Sequence, residues 1–140
     1  MPVTLQRFVD AQAPVFDRVL RELTFGDKVT HWMWFIFPQL RGLGFSEKAR
    51  LYGLESLDEA TAYLAHPLLG PRLLTCCEAM RPHTDVGAAF VLGDVDAAKL
   101  RSCLTLFERV NKAPPLFRDL LNAFFDGQRD QKTLALLDGH

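Results

Sequence analysis

Thr30-His31-Trp32-Met33-Trp34-Phe35-Ile36-Phe37-Pro38-Gln39-Leu40-Arg41-Gly42-Leu43-Gly44 is the most aromatic stretch of the chain. Residues 32–38 are apolar without a break, so the run must be buried on most sides. A short apolar run of this kind suits a buried strand as well as a helix. No other segment offers it a good partner strand, and the reading is therefore helix over residues 31–37, with Thr30 as N-cap and Pro38 as its end. On that helix His31, Trp34 and Phe35 share one face, and Trp32 and Ile36 another. A helical reading here makes the whole chain all-α.

Outward from this stretch, capping residues, glycines and prolines cut the chain into short helices. Towards the N-terminus, Pro14 suits the first turn of a helix whose Val15, Phe16, Val19, Leu20 and Leu23 are spaced helically until Gly26 stops it. Before it, Thr4 caps a helix with Leu5, Phe8 and Val9 on one face. On the other side, Ser46 and Glu47 open a short helix closed by Gly53. Ser56-Leu57-Asp58-Glu59 is a capping box that starts a helix over residues 57–65, halted before Pro67. His66-Pro67 reads as a helix end followed by a turn. Gly70-Pro71 begins a helix carrying Leu73, Leu74, Cys77 and Met80 inward until Pro82.

Asp85 caps residues 86–92, the second segment that fits either strand or helix. Asp94 or Asp96 caps the clearest helix, residues 97–110, with Leu100, Leu104 and Phe107 on one stripe. Pro114-Pro115 opens a helix ending at Gly127, and Asp130 caps a last one with Leu134 and Leu137. The expectation is a compact multihelical single domain over residues 1–140, with about eight or nine short helices and little or no strand.

Composition narrows the classes of function. A hydrophobic fraction of 49% with 24% charged residues is globular. Sixteen basic against seventeen acidic residues leave a net charge of −1, without the basic excess that grips duplex nucleic acid. The same balance argues against single-stranded nucleic acid, which needs exposed aromatics beside a basic track. The longest apolar run falls far short of the roughly 20 residues of a membrane span. Met1-Pro2-Val3-Thr4 has the character of no secretory signal. Cys76, Cys77 and Cys103 form no disulfide framework, and reduced thiols imply a cytoplasmic protein.

Three groups of residues carry potential chemistry. Trp32 and Trp34 offer stacking surfaces, and His31 a titratable nitrogen. A helix N-terminus at His31 would favour its neutral form, able to act as acid or base. Arg41, Gly42 and Gly44 can present an arginine fork and backbone N–H groups to an anion. The spacing is not a dinucleotide fingerprint, because Glu47 stands where the third glycine belongs, and it is not a P-loop. Lys99 and Arg101 lie near Ser102 and Thr105 on one helix and can reach a phosphate. Cys76, Cys77 and His83 lack zinc-ligand spacing, so no metal site is expected.

The stretch from His31 to Gly44 resembles the signature of a widespread bacterial family catalogued as a domain of unknown function. His66-Pro67-Leu68-Leu69-Gly70-Pro71-Arg72-Leu73 and the Lys99-Leu100-Arg101-Ser102-Cys103-Leu104-Thr105-Leu106-Phe107 segment fit it as well. The resemblance implies a mainly α-helical single domain and carries no settled activity. Calpastatin, a label sometimes attached to such proteins, does not suit this globular composition. Where the family often has a second Ser, this chain has Cys103, which leaves Ser102 as the hydroxyl in play.

The leading functional expectation is a pocket for a phosphate-bearing or nucleotide-like small molecule. Trp32 and Trp34 would be its walls, and Gln39, Arg41, Gly42, Gly44, Lys99 and Arg101 its binding groups. His31 and Ser102 are the candidate catalytic residues, with Gln39 or Ser102 orienting His31. The reading requires His31, Arg41 and Arg101 to converge on one cleft. The alternative is a non-catalytic interaction or regulatory module that presents an apolar groove. The sequence identifies neither a cofactor nor a protein partner.

Overall fold

The computed structural model describes residues 4–139, so the reading of Met1, Pro2 and Val3 lies outside the described residues. Ten α-helices run through them: α1 (Gln6–Gln12), α2 (Phe16–Phe25), α3 (Met33–Ile36), α4 (Glu47–Tyr52) and α5 (Leu57–Ala65), then α6 (Leu69–Met80), α7 (Ala88–Leu92), α8 (Asp94–Glu108), α9 (Leu116–Phe125) and α10 (Gln131–Asp138). A 3-10 turn, Arg81–His83, follows α6. Extended pairing among the described residues is a single parallel bridge between Leu40 and Leu54. The fold is all-α. The helix count exceeds the sequence reading because residues 88–92 resolve to a helix rather than a strand.

Local chemistry explains most boundaries. Gly26 ends α2 in the left-handed conformation, and the Asp27 N–H then donates back to the Glu22 carbonyl at 3.0 Å. Ser46, Ser56 and Asp130 each accept a backbone N–H at the start of α4, α5 and α10. Other caps differ from expectation. Glu59 reaches the Glu55 N–H at 2.8 Å instead of completing the box at Ser56. Neither Asp94 nor Asp96 caps α8, which starts earlier, directly behind Gly93. His66 does more than end α5: its Nδ1 accepts the Leu68 and Leu69 N–H groups at the head of α6.

Thr30 is not an N-cap, because α3 begins only at Met33. A buried carboxylate from α2 captures the residues before it instead. Glu22 accepts the N–H groups of Val29 and Thr30, the Thr30 hydroxyl and the Trp32 indole N–H, all within 3.0 Å. Burial alone would raise the Glu22 carboxyl. The donors from Thr30, Trp32 and Val29 outweigh that effect and hold it at about 2. Beside it, the nearly buried Lys28 ammonium donates to the Thr30 carbonyl, pairs with Asp96 at 2.9 Å and lies over the Trp32 ring.

One contiguous apolar core joins the helices. Through it runs a chain of rings: Phe8 meets Tyr63 edge-on at 5.1 Å, Tyr63 meets Phe107, and Phe107 meets Phe117. The Tyr63 hydroxyl is satisfied by Gln12 Nε2, which also donates to the Phe35 carbonyl at 2.7 Å. A single buried glutamine thus ties α1 to α5 and to the end of α3. No helix among the described residues is long and apolar enough to cross a membrane.

All three cysteines are buried and unbridged. Burial pushes the Cys76 thiol up to about 12 and those of Cys77 and Cys103 well above the usual value. A water-soluble thiol reagent at neutral pH should therefore modify none of them in the folded protein and all three on unfolding. Mass spectrometry checks this, and prompt labelling of native protein would contradict the burial.

Candidate functional site

Within residues 32–38 every side chain is buried except Trp34, which is half-exposed. The cause is how α3 is held. Glu22 pulls the Trp32 indole inward at one end, and Gln12 grips the Phe35 carbonyl at the other. The remaining side chain faces outward into a cleft of about 360 Å³ between the segment that leads into α4 and the N-terminal half of α8. That volume falls in the range of small-molecule sites, roughly 300–1,000 Å³.

Trp34 is the cleft's aromatic floor. The Lys48 and Lys99 ammonium groups each lie 4.8 Å from its ring centre. Gln39 reaches the cleft from a backbone fixed by the bridge, its carbonyl accepting the Leu54 N–H at 2.8 Å. Gly44 lines the wall beside α4, where a Cβ would stand 2.9 Å from the Ala49 Cβ. Ser102 lines it from α8 and donates its hydroxyl to the Ala98 carbonyl at 3.2 Å, leaving its oxygen able to accept. Asp130 and Lys132, at the start of α10, complete the rim.

The cleft has a positive bias in a chain of net charge −1. Lys99 shares the Asp96 carboxylate with Lys28, at 3.5 and 2.9 Å, so one negative charge serves two ammonium groups. Lys132 is exposed and makes no ion pair among the described residues. Against these stands Asp130, whose Oδ2 is committed to the Thr133 N–H and hydroxyl as the cap of α10.

The cleft therefore brings together Trp34, Gln39, Gly44, Lys99 and Ser102 from the sequence reading. The other named residues lie elsewhere. Trp32 is core. His31 is exposed and does not line the cleft, since α3 starts two residues after it. Arg41 turns away from the cleft to donate to the Arg50 and Gly53 carbonyls at the C-terminal end of α4, with Glu55 nearby. There it meets Arg7, which binds the Leu51 and Gly53 carbonyls, so two arginines satisfy the end of one short helix. Gly42 turns the chain with φ of 106°. Arg101 lines a neighbouring cleft. The expected convergence of His31, Arg41 and Arg101 does not occur in either cleft.

Asp130 and Lys132 escaped the sequence reading as site residues. They sit some 90 positions from Gln39 along the chain, and only the packing of α10 on α8 brings them near. The cap at Asp130 was a local signal of a helix start, but nothing local announced a cleft.

The fold and this aromatic, cation-flanked cleft define the chain as a small all-α protein with a ligand-sized surface site. It belongs to the family described as protein of unknown function (DUF1810), whose profile matches residues 2–137. The crystal structure of the conserved hypothetical protein Rv1873 from Mycobacterium tuberculosis is similar to it, with 48% sequence identity over 99% of each chain and a TM-score of 0.95. No curated protein matched the chain. These descriptions assign no activity, and the function is unknown.

Proposed function

We propose that the Trp34 cleft binds a phosphate-bearing or nucleotide-like small molecule, and that the protein does so in the cytoplasm. The observation that carries this is Trp34 itself, the one half-exposed side chain of an otherwise buried aromatic run, with two lysines over its ring. A planar ring stacks on the indole by displacing the exposed Lys48 side chain. Lys99 and Lys132 neutralise the anion, and Gln39 and Ser102 supply polar contacts for orientation. Buried, unbridged cysteines agree with a reducing compartment. The reading is one of binding: the groups at the cleft are suited to recognition, and His31 lies outside it.

A thermal-shift screen tests it, with adenosine and guanosine monophosphates, nicotinamide mononucleotide and a ribose phosphate as probes. A ligand at a hundred times its Kd stabilises the fold by about 2.7 kcal/mol, a rise of several degrees. The shift is expected in the wild type and in His31→Ala, and to vanish in Trp34→Ala and Lys99→Ala. An undiminished shift in Trp34→Ala would overturn the reading. So would the absence of any shift, which would turn attention to the interaction alternative and to the exposed Phe25, Val29 and Phe90 near the contact of residue 28 with α7.

A further inference from the structure

Beside the Trp34 cleft lies a second one, of about 750 Å³, and Asp130 and Lys132 line both. The two differ in chemistry. The first has the indole. The second contains no aromatic residue and is lined by Arg101, Arg129 and Lys132 together with Gln128 and Gln131.

The two arginines of the second cleft are in different states. Arg129 is spoken for: two of its nitrogens donate to the Glu108 carboxylate and a third to the Gly127 carbonyl. Arg101 is not. Its nearest carboxylate oxygen, Asp130 Oδ1, is 3.9 Å away, too far for a hydrogen bond. Its Nε is shielded from solvent and has no partner among the described residues. An N–H of a guanidinium shut off from water without an acceptor is costly, and native proteins seldom leave one so. The aromatic ring of Phe125 lies 6.0 Å from the guanidinium carbon and supplies no oxygen.

Asp130 leaves this gap open: its Oδ2 is held by Thr133, and its Oδ1 stands 3.9 Å from the guanidinium. Local charge points the same way. With Arg129 neutralised by Glu108, Arg101 and Lys132 face the single carboxylate of Asp130, so the second cleft retains an excess positive charge. Lys132 stands between the clefts, free of ion pairs among the described residues.

We infer that the second cleft is the distal phosphate subsite of the ligand that stacks on Trp34, which makes that ligand a nucleoside di- or triphosphate rather than a monophosphate. This rests on the reading of the Trp34 cleft as a nucleotide-like site. The base lies on the indole, the first phosphate meets Lys99 and Lys132, and the chain continues past Lys132. The terminal phosphate meets the outer, solvent-reachable nitrogens of the Arg101 guanidinium, a third of whose side chain is exposed and whose carboxylate neighbour stands 3.9 Å off. Of the two clefts, Arg101 lines only the second and Trp34 only the first, so a monophosphate is assigned to the first cleft and a longer phosphate chain to both.

The test is titration calorimetry with AMP, ADP and ATP, in EDTA and at fixed ionic strength, alongside tripolyphosphate alone. Wild-type affinity should rise about tenfold from AMP to ATP, the worth of a charge-assisted hydrogen bond. Arg101→Gln should keep AMP affinity and lose this rise, whereas Arg118→Gln, on the surface of α9 and outside both clefts, should keep it. Tripolyphosphate should bind more weakly than ATP. Should Arg101→Gln fail to fold, Arg101→Lys replaces it: AMP affinity should stay and the rise towards ATP should shrink with the loss of the guanidinium fork.

Equal affinity for AMP and ATP, or a rise that survives in Arg101→Gln, overturns the distal subsite while leaving the Trp34 reading in place. Equal loss in Arg118→Gln reduces the effect to bulk charge and also overturns it. Tripolyphosphate binding as tight as ATP would remove the base from recognition and overturn it too. No binding by any of the three nucleotides overturns both this inference and the reading on which it rests.

Discussion

Glu22→Ala is expected to cost about 2–4 kcal/mol of folding stability, because it removes four hydrogen bonds to a carboxylate and strands one buried donor. The residue is 9% exposed and accepts from three N–H groups and a hydroxyl. Alanine leaves the Trp32 indole N–H, buried in the core, without an acceptor, while the Val29 and Thr30 N–H groups nearer the surface exchange a carboxylate for water. Glu22→Gln keeps the shape but loses the charge, and should cost less. Chemical denaturation followed by circular dichroism measures both. A cost below about 1 kcal/mol for Glu22→Ala would mean that the loop before α3 is held by other contacts.

The same carboxylate gives a pH dependence with a definite sign. Its folded value of about 2 lies below the ordinary 4.5, so the unfolded chain takes up the proton first on acidification. Its contribution is complete above pH 4.5 and drains away as pH falls towards 2. The shift corresponds to roughly 3 kcal/mol at neutral pH. Acid unfolding of the wild type should therefore steepen in this window, and Glu22→Gln should flatten it. Parallel acid-unfolding curves for the two proteins would contradict the account.

Gly70→Ala is the second change with a large expected effect. A Cβ at Gly70 would stand 2.1 Å from the Leu64 carbonyl oxygen and 3.0 Å from its carbon. Both are backbone atoms of α5, so no rotamer change relieves the clash. Helices α5 and α6 must separate, and the core contacts of Tyr63, Leu73 and Cys77 loosen with them. Overpacking of this kind costs about 3 kcal/mol or more. Urea unfolding at neutral pH reads it directly, and a midpoint equal to the wild type would show that the two helices are not in backbone contact.

Much of this fold is legible because its boundaries are local. Gly26, Ser46, Ser56 and Asp130 act through atoms two to four residues away, and pattern alone finds them. What escapes is whatever acts at a distance. Thr30 has the chemistry of an N-cap, yet Glu22 on the preceding helix captures it and delays α3 to Met33. Arg41 has the chemistry of an anion ligand, yet the end of α4 claims its guanidinium.

The site shows the same division. Trp32 and Trp34 are equivalent in sequence, two indoles in one apolar run. They are separated by partners in α1 and α2, which draw Trp32 and the Phe35 carbonyl inward and leave Trp34 at the surface. Lys99 and Ser102 were readable as polar positions on a clear helix. That they face Trp34 depends on packing between segments more than 60 residues apart.

The proposed ligand surface is Trp34 and not Trp32. With only two tryptophans, the nitrogen-15 NMR spectrum has two indole N–H signals, assigned by Trp34→Phe. Titration with ATP should move the Trp34 signal and leave that of Trp32, bonded to Glu22, in place. Movement of neither signal at millimolar ATP, or movement of the Trp32 signal alone, would contradict this proposal.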